Sequence, residues 1–246
     1  MITFESLTII ILSSNEKKSL RTTLQLLAEL CDPKDIEEII IFLKDEYCPA
    51  KYEAEQIVKE GWMPIPTRIH VQTIPGPEEI LFEAPNLVHS THFITIGSDL
   101  EMDLHSVTEL INVSKKNPES IVCASKWIEK SIRENGRFMH NLCVLVVNFI
   151  LNKITNSNAT EPLSVYQIYP KKIYQEMNFA NGKEAFYGYS IKPLIYGVSY
   201  IEIPTNYRRR SEEKSNYNSL WYINVSICFI MSAIKLKHKK KKDSSV

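Results

Sequence analysis

The cysteines of this 246-residue chain are few and show no pairing pattern. There are five, none lies in a Cys-x-x-Cys pair, and their spacing is irregular, so neither a disulfide framework nor a zinc site is predicted. Internal repeats are absent as well. The cysteine usage is typical of a reducing cytoplasm.

The chain also lacks net charge, because 29 basic residues balance 29 acidic ones. Six of the lysines fall between Lys235 and Lys242, which leaves the rest of the chain acidic. Such a run predicts an anionic partner, for which we expect a membrane surface and not nucleic acid. The first apolar run, Leu7 to Leu12, has no basic region before it and no small-residue cleavage site after it. It therefore predicts a strand and not a signal peptide.

Apolar runs alternate with helical patterns along the chain. Strands are predicted at 7–13, 36–43, 68–73, 91–96, 120–124, 165–169 and 199–204, and helices from about 15 and at 52–59, 78–89, 104–116, 141–154 and 184–196. This alternation predicts an α/β fold, a three-layer α/β/α sandwich with a mainly parallel, Rossmann-like central sheet. In such sheets, ligands bind at the carboxyl ends of the strands.

The fourth of these runs, Phe93 to Ile96, ends in three carboxylates on alternate positions: Asp99, Glu101 and Asp103. An extended segment would point all three to one side, and clustered oxygen ligands suit a hard cation such as Mg²⁺ or Mn²⁺. The alternative is that the acids begin the next helix, where Asp103 would act as a cap.

Polar residues or a glycine follow the first three strands as well. Ser13, Asn15 and Glu16 follow the first, Asp45 the second, and Gly76 the third. The last strand is followed by three arginines and Lys214, which predict either a phosphate clamp or a solvated loop.

In order and spacing, these segments resemble the family 2 glycosyltransferases, nucleotide-sugar transferases of the A-type fold, and most closely the polyprenol-phosphate mannose or glucose synthase branch. Six segments carry the resemblance. Ile9 to Glu16 is similar to the family's opening strand with its P-x-Y-N-E ending, Ile40 to Asp45 is similar to the strand that ends in V-D-D-G-S, and Gly97 to Glu101 is similar to the metal motif D-A-D-L-Q. In the second half, Cys123 to Glu129 is similar to G-S-R-Y-x-x-G, Glu161 to Tyr166 is similar to D-x-x-S-G-F, and Arg208 to Lys214 is similar to R-x-x-G-x-S-K.

The resemblance implies an inverting transfer of sugar from a nucleotide-diphosphate sugar to a polyprenyl phosphate, a lipid-linked glycan or a surface glycan. Mg²⁺ or Mn²⁺ would be held by Asp99 and Glu101, and Arg208 with Lys214 would stabilise the leaving diphosphate. Asp103 and Glu161 are both candidates for the group that accepts a proton from a hydroxyl acceptor. The donor would be bound by Ser13, Asn15, Glu16, Asp45, Gly76, Ser98 and Lys126.

The chain departs from the family pattern at several of these positions. Gly97 stands where the first acid of the metal motif belongs, and Lys44 with Asp45 replaces a pair of acids. Val165 replaces a glycine, and Ser211 and Glu213 replace residues of the closing loop. A second interpretation therefore stays open, in which a catalytically weakened relative binds nucleotide sugar or acts as a scaffold subunit.

The C-terminal segment from Leu220 to Leu236 is apolar and slightly shorter than the roughly 20 residues that span a bilayer. It predicts an interfacial helix whose lysines face an anionic leaflet, with a membrane span and a last core helix as alternatives. We expect a catalytic domain at 1–215 and a membrane anchor at 216–246. The expected location is cytoplasmic, peripherally on the inner face of a membrane.

Overall fold

The computed structural model describes residues 2–73, 80–128, 138–177, 183–208 and 219–243. In chain order the elements are β1 (Leu7–Ser13), α1 (Ser19–Leu30), β2 (Ile36–Leu43), α2 (Lys51–Glu60), β3 (Thr67–Val71), α3 (Ile80–Leu87), β4 (His92–Gly97), α4 (Ser106–Lys116), β5 (Ile121–Ser125), α5 (Phe138–Thr155), β6 (Gln167–Pro170), α6 (Lys171–Glu176), α7 (Lys183–Tyr196), β7 (Tyr200–Pro204) and α8 (Ser219–Asp243).

The strands form one seven-stranded sheet in the order β3-β2-β1-β4-β6-β5-β7. β6 is antiparallel to both of its neighbours, and the other pairs are parallel. Buried side chains of α1, α2 and α4 cover one face of the sheet, and those of α3 and α6 pack on the other. The predicted three-layer α/β/α fold with a mainly parallel sheet is confirmed.

The composition of β1 shows why the central strands are apolar throughout. Ile9 and Ile11 pack into the cluster on one face of the sheet, whereas Ile10 packs into the cluster on the other. Successive side chains of a strand alternate between faces, so a strand covered on both sides needs apolar residues at every position.

The connection after β1 differs from the sequence prediction. A helix capped by Ser14 or Asn15 is expected, but α1 begins at Ser19, and Lys18 before it makes no side-chain cap. Instead, the Glu16 carboxylate accepts a hydrogen bond of 2.6 Å from the Ser14 N–H. This local bond holds residues 14 to 16 in a turn and delays the helix by one turn.

Two further elements depart from expectation. Helix α6 was not predicted, and β6 begins two residues later than expected, at Gln167. Helix α3 contains Pro85, which lies late in the helix. The proline ring removes one backbone donor there, a loss that a short helix supported by packing tolerates.

Helix α8 belongs to the folded body. Phe229 and Ala233 are buried in a third apolar cluster with Leu151 of α5 and Ile191 of α7. The lysine run is the last part of the same helix, which extends to Asp243. Within the described ranges, no helix combines the length and the apolar character needed to cross a bilayer.

Candidate active site

The carboxyl ends of β1, β2 and β4 meet at one edge of the sheet. There the Ser98 N–H and hydroxyl donate to the carbonyl of Leu12, at 3.1 and 2.7 Å. The Lys44 N–H donates to the carbonyl of Ser13 at 3.1 Å. Ser13 and Ser98 are both buried, and within the described residues the Ser13 hydroxyl has no hydrogen-bond partner. The structure thus brings two of the predicted donor-binding residues together.

The loops after β1 and β2 adjoin at the same edge. The Ala50 N–H donates to the carbonyl of Ser14 at 3.0 Å, which joins the two loops. Asp45 accepts from the Tyr47 N–H at 2.9 Å and is half-buried, as is Asn15 in the facing loop. Three predicted donor-site residues, Asn15, Glu16 and Asp45, therefore lie in neighbouring loops.

The acidic segment after β4 forms a tight turn. The Asp99 Oδ1 atom accepts from the Glu101 N–H at 3.2 Å, and Leu100 between them has a left-handed backbone with φ of 57°. A Cβ at Gly97 would lie 3.1 Å from Asp99 Oδ1, closer than side chains normally pack. The glycine that departs from the family pattern thus makes room for the Asp99 carboxylate.

The segment after β7 is hydrogen-bonded to this turn. The Arg208 N–H donates to the Glu101 carbonyl at 2.7 Å, and the Asp103 N–H donates to the Asn206 carbonyl at 3.1 Å. Met102 and Tyr207 form an antiparallel bridge between them. The backbone of Arg208, whose side chain is exposed, is therefore held beside the turn that contains the two carboxylates predicted to hold the metal.

A second charged group lies at the end of β5. The Glu161 carboxylate accepts from the Lys126 N–H at 3.0 Å and forms an ion pair of 3.3 Å with the Lys126 ammonium. That ammonium also lies 4.5 Å from the ring centroid of Tyr207. Lys126 thus connects Glu161 to the segment that carries Arg208.

Glu202 on β7 is a site-supporting residue that the sequence analysis missed. Its carboxylate accepts from the Thr160 and Glu161 N–H groups, each at 2.8 Å, and from the Thr160 hydroxyl at 3.0 Å. Burial raises the pKa of Glu202, and these hydrogen bonds oppose the rise. The only sequence signal was one acid within the apolar strand Tyr200–Pro204.

We expect Glu202→Gln to lower the free energy of unfolding by about 1–3 kcal/mol, since an amide nitrogen cannot accept from the Thr160 or Glu161 N–H and leaves one donor unpaired. Urea unfolding measures this. Glu55→Gln on α2 is the control, because the exposed Glu55 makes, among the residues that the structure describes, only a 3.9 Å contact with Lys51. Equal stability of the two variants would show that Glu202 does not hold the Glu161 loop.

Asp103 lies in the turn before α4, three residues ahead of Ser106. Its carboxylate accepts from the His105 N–H at 3.1 Å, from the His105 ring at 2.8 Å and from the Asn206 side chain at 3.3 Å. Partial burial alone would raise the pKa of Asp103, but the hydrogen bonds from His105 and Asn206 outweigh it and lower this pKa. Helix α4 begins at Ser106, and His105 before it makes no side-chain cap, so the expectation that Asp103 caps a helix starting at Leu104 is wrong. The Asp103 carboxylate instead bonds the turn that precedes the helix.

A carboxylate with a lowered pKa contributes stability that is present above its unfolded pKa and is lost as the pH falls through its folded pKa. We therefore expect Asp103→Asn to lower the melting temperature at neutral pH, and the difference from the unchanged protein to shrink below about pH 4. Thermal unfolding across this pH range measures it. A difference that does not change with pH would rule out the ionised carboxylate as its source.

The residues at the acidic turn can supply some, but not all, of the ligands of a hard cation. Among the described residues, no group of three or more His, Cys, Asp or Glu side chains is arranged to hold a metal ion. Asp99 and Glu101 offer carboxylate oxygens in one turn, and Mg²⁺ or Mn²⁺ sites with two protein carboxylates are completed by substrate phosphates and water. Gly76 and Lys214 lie outside the described residues, so their predicted roles stay predictions.

The chain is similar in structure to glucosyl-3-phosphoglycerate synthase from Mycobacterium tuberculosis in complex with UDP, with a TM-score of 0.69 and 15% identity over 95% of this chain and 80% of the other. The same enzyme with Mn²⁺, UDP-glucose and phosphoglyceric acid matches with a TM-score of 0.67, 14% identity and the same coverage. A mycobacterial protein matches with a TM-score of 0.71 and 13% identity, over 95% of this chain and 75% of that one.

This chain has the A-type glycosyltransferase fold. The predicted fold type is thereby confirmed. No protein-family model and no curated protein matches the sequence. At identities near 15%, the likeness concerns the fold, and the function rests on the residues at the carboxyl edge of the sheet.

Proposed function

We propose that this chain is an inverting, metal-assisted glycosyltransferase that uses a nucleotide-diphosphate sugar as donor. The observation that carries the proposal is the pairing of the acidic turn with the segment after β7, which holds the Arg208 backbone beside the turn that contains Asp99 and Glu101. Two carboxylates with an adjacent arginine are suited to a diphosphate that is bound through a cation. Solved proteins of the same fold contain UDP and Mn²⁺, which supports this donor class.

The leaving group sets what the donor site must do. Negative charge develops on the diphosphate as it departs from the anomeric carbon, and a divalent cation held by Asp99 and Glu101 would supply charge neutralisation there. Arg208 would add a bidentate donor on the same side, and Lys214 would act with it. Ser13, Asn15, Glu16, Asp45, Gly76, Ser98 and Lys126 would bind the rest of the donor.

For an acceptor hydroxyl, Glu161 is the better candidate base. Asp103 is held by His105 and Asn206, and its lowered pKa makes it a weak proton acceptor. The Glu161 backbone is fixed by Glu202, and its carboxylate is oriented by Lys126. A phosphate acceptor, being ionised already, would need little help from either acid.

The acceptor we propose is a polyprenyl phosphate, or a lipid-linked or surface glycan, at the cytoplasmic face of a membrane. A phosphate-bearing acceptor agrees with the phosphoglyceric acid that accompanies UDP-glucose in one of the solved proteins. The lysine-rich end of α8 supports a location at an anionic surface. In this arrangement residues 216–246 act as the anchor and residues 1–215 as the catalytic domain.

A second candidate function is binding of nucleotide sugar without turnover. Gly97 takes the place of an acid in the metal motif, and the acidic turn offers Asp99 and Glu101 without a third ligand among the described residues. Such a protein would bind donor and release no nucleotide.

The two candidates are separated by one set of measurements. Calorimetric titration with UDP and GDP, with and without Mn²⁺, tests donor binding, and release of nucleoside diphosphate from a panel of nucleotide sugars tests turnover. Mn²⁺-dependent binding with release is expected of a transferase. Binding without release, even when polyprenyl phosphate is added, would favour the second function, and no binding at all would refute both.

A further inference from the structure

Helices α5 and α8 carry rows of exposed apolar side chains on the sides turned away from their shared core. On α5 the buried Val147 and Leu151 face the cluster with α7 and α8. The opposite side of α5 holds a row in which Phe149 is 63% exposed. Its members are spaced by three or four residues, as one side of a helix requires: Leu142, Leu145, Val146 and Phe149.

Helix α8 repeats this arrangement. Phe229 and Ala233 are buried against α5 and α7, and a row on another side of the helix is about half exposed. The row consists of Ile223, Ile227, Met231 and Ile234. Two packed helices thus each expose four large apolar side chains, and exposed apolar side chains grouped in this way often mark a contact site for a membrane or a protein.

The charge on this surface has one sign. Helix α5 contains no acidic residue, and α8 contains one, Asp243, against six lysines. The apolar row of α8 continues at helical spacing into His238 and Lys241, so both features occupy the same side of the helix. An apolar surface that ends in clustered positive charge matches the acyl chains and headgroups of an anionic leaflet.

The lysine end is held in place by the fold. The Lys240 ammonium donates to the carbonyl of Ile195 at 2.7 Å and lies 5.3 Å from the ring centroid of Tyr196. Lys192 approaches the same ring from α7 at 5.7 Å. Burial lowers the pKa of Lys192, and the nearby charge of Lys239 lowers it further. Crowded positive charges of this kind are relieved by an anion.

We propose that the rows on α5 and α8, together with the lysine end of α8, form a single face that lies on the surface of an anionic membrane. The helices lie flat in the headgroup region, with their apolar rows directed into the leaflet. This extends the sequence prediction, which involved the C-terminal segment alone, and it does not depend on sugar transfer.

Helix α5 connects this face to the candidate active site. Its Asn148 and Asn152 side chains donate to the carbonyls of Thr160 and Ala159, at 2.8 and 2.6 Å, directly before Glu161. By helical spacing, these two asparagines lie on the flank of α5, between its buried side and its exposed row, so the loop that carries Glu161 packs beside the proposed face. A lipid-linked acceptor would then reach the site without leaving the leaflet.

Vesicle co-sedimentation of the full chain tests the proposal, with phosphatidylcholine vesicles and vesicles that also contain phosphatidylserine. We expect binding to the anionic vesicles at low salt. The pair Leu145→Ser and Phe149→Ser should weaken it by about tenfold or more, and so should Ile227→Ser with Met231→Ser. The control pair is Tyr52→Ser with Val58→Ser, two exposed apolar residues of α2, which should change nothing.

A separate pair of substitutions tests the contribution of charge to vesicle binding. Lys237→Gln with Lys241→Gln should weaken binding to anionic vesicles about tenfold at low salt and less at high salt, whereas Lys34→Gln with Lys116→Gln should have no effect. Far-ultraviolet circular dichroism and the melting temperature of each variant establish that it is folded, whether or not the protein binds UDP.

Three results would overturn the proposal. The first is full-length protein that stays in the supernatant with anionic vesicles at low salt. The second is binding that the α5 pair leaves unchanged, which would restrict the contact to α8. The third is a concentration-dependent dimer, seen by analytical ultracentrifugation, that does not bind vesicles and that the α5 and α8 substitutions dissociate. In that case, the apolar rows of two copies of the chain would cover one another.

Discussion

Asp99→Asn should abolish the Mn²⁺-dependent part of nucleotide-diphosphate binding and leave the fold intact. The asparagine Oδ1 can still accept from the Glu101 N–H, so the turn is retained, but one of the two carboxylates is lost. We expect the affinity for UDP in the presence of Mn²⁺ to fall by at least about tenfold, or ~1.4 kcal/mol. The melting temperature should stay close to that of the unchanged protein, since a substitution in a loop outside the core costs within about 0.5 kcal/mol.

Asp32→Asn provides a matched control. Asp32 also accepts from the N–H two residues later, that of Lys34, at 3.0 Å, but it lies before β2 at the opposite edge of the sheet. The Asp32→Asn protein should bind UDP and Mn²⁺ as the unchanged protein does. Titration calorimetry compares the three proteins, and retained Mn²⁺-dependent binding in Asp99→Asn would refute the metal assignment.

Ile94→Asp should unfold the protein. Ile94 is fully buried in β4, where it pairs with Ile9 of β1 on one side and with Ile168 of β6 on the other. A buried charge without a partner costs several kcal/mol, about 3–5 when a buried ion pair is broken, and whole domains have about 5–15 kcal/mol of stability. We expect insoluble protein or loss of the cooperative unfolding transition.

Ile94→Val tests the same position without a charge. It should remain folded and lose about 1 kcal/mol, because one buried methylene is removed. Circular dichroism during urea unfolding measures both variants. A soluble Ile94→Asp protein with an unchanged melting temperature would mean that β4 does not lie at the centre of the sheet.

The central strands could be predicted because each is marked within its own few residues. β1, β2 and β4 are apolar runs bounded by polar residues, and such runs indicate strands buried on both faces. Because parallel strands place their carboxyl ends at one edge, the positions of Ser13 and Ser98 followed from the order of the elements. Both residues were predicted at the site and lie side by side.

What could not be predicted depends on contacts between distant parts of the chain. The bond from the Arg208 N–H to the Glu101 carbonyl exists only because the segment after β7 pairs with the acidic turn. Glu202 bonds backbone groups about 40 residues earlier, and a single acid in a short strand gives no local sign of that. The delayed start of α1 had a local cause, the short bond from Ser14 to Glu16, which competes with capping.

The antiparallel strand β6 has a consequence for the order in which the chain can fold. Strands β1 to β4 form one continuous half of the sheet, in the order β3-β2-β1-β4, so this half can form as soon as residue 97 is available. The other half forms later, because β6 is the strand that joins β5 and β7 to β4. The contacts of β4 with this half are distant in sequence, as the Thr95 hydroxyl shows, which donates to the carbonyl of Val165, 70 residues later. Long-range pairing of this kind is slow, so we expect an early intermediate with an exposed β4 edge during synthesis. The edge of β4 is then the place where a chaperone or another nascent chain would bind first.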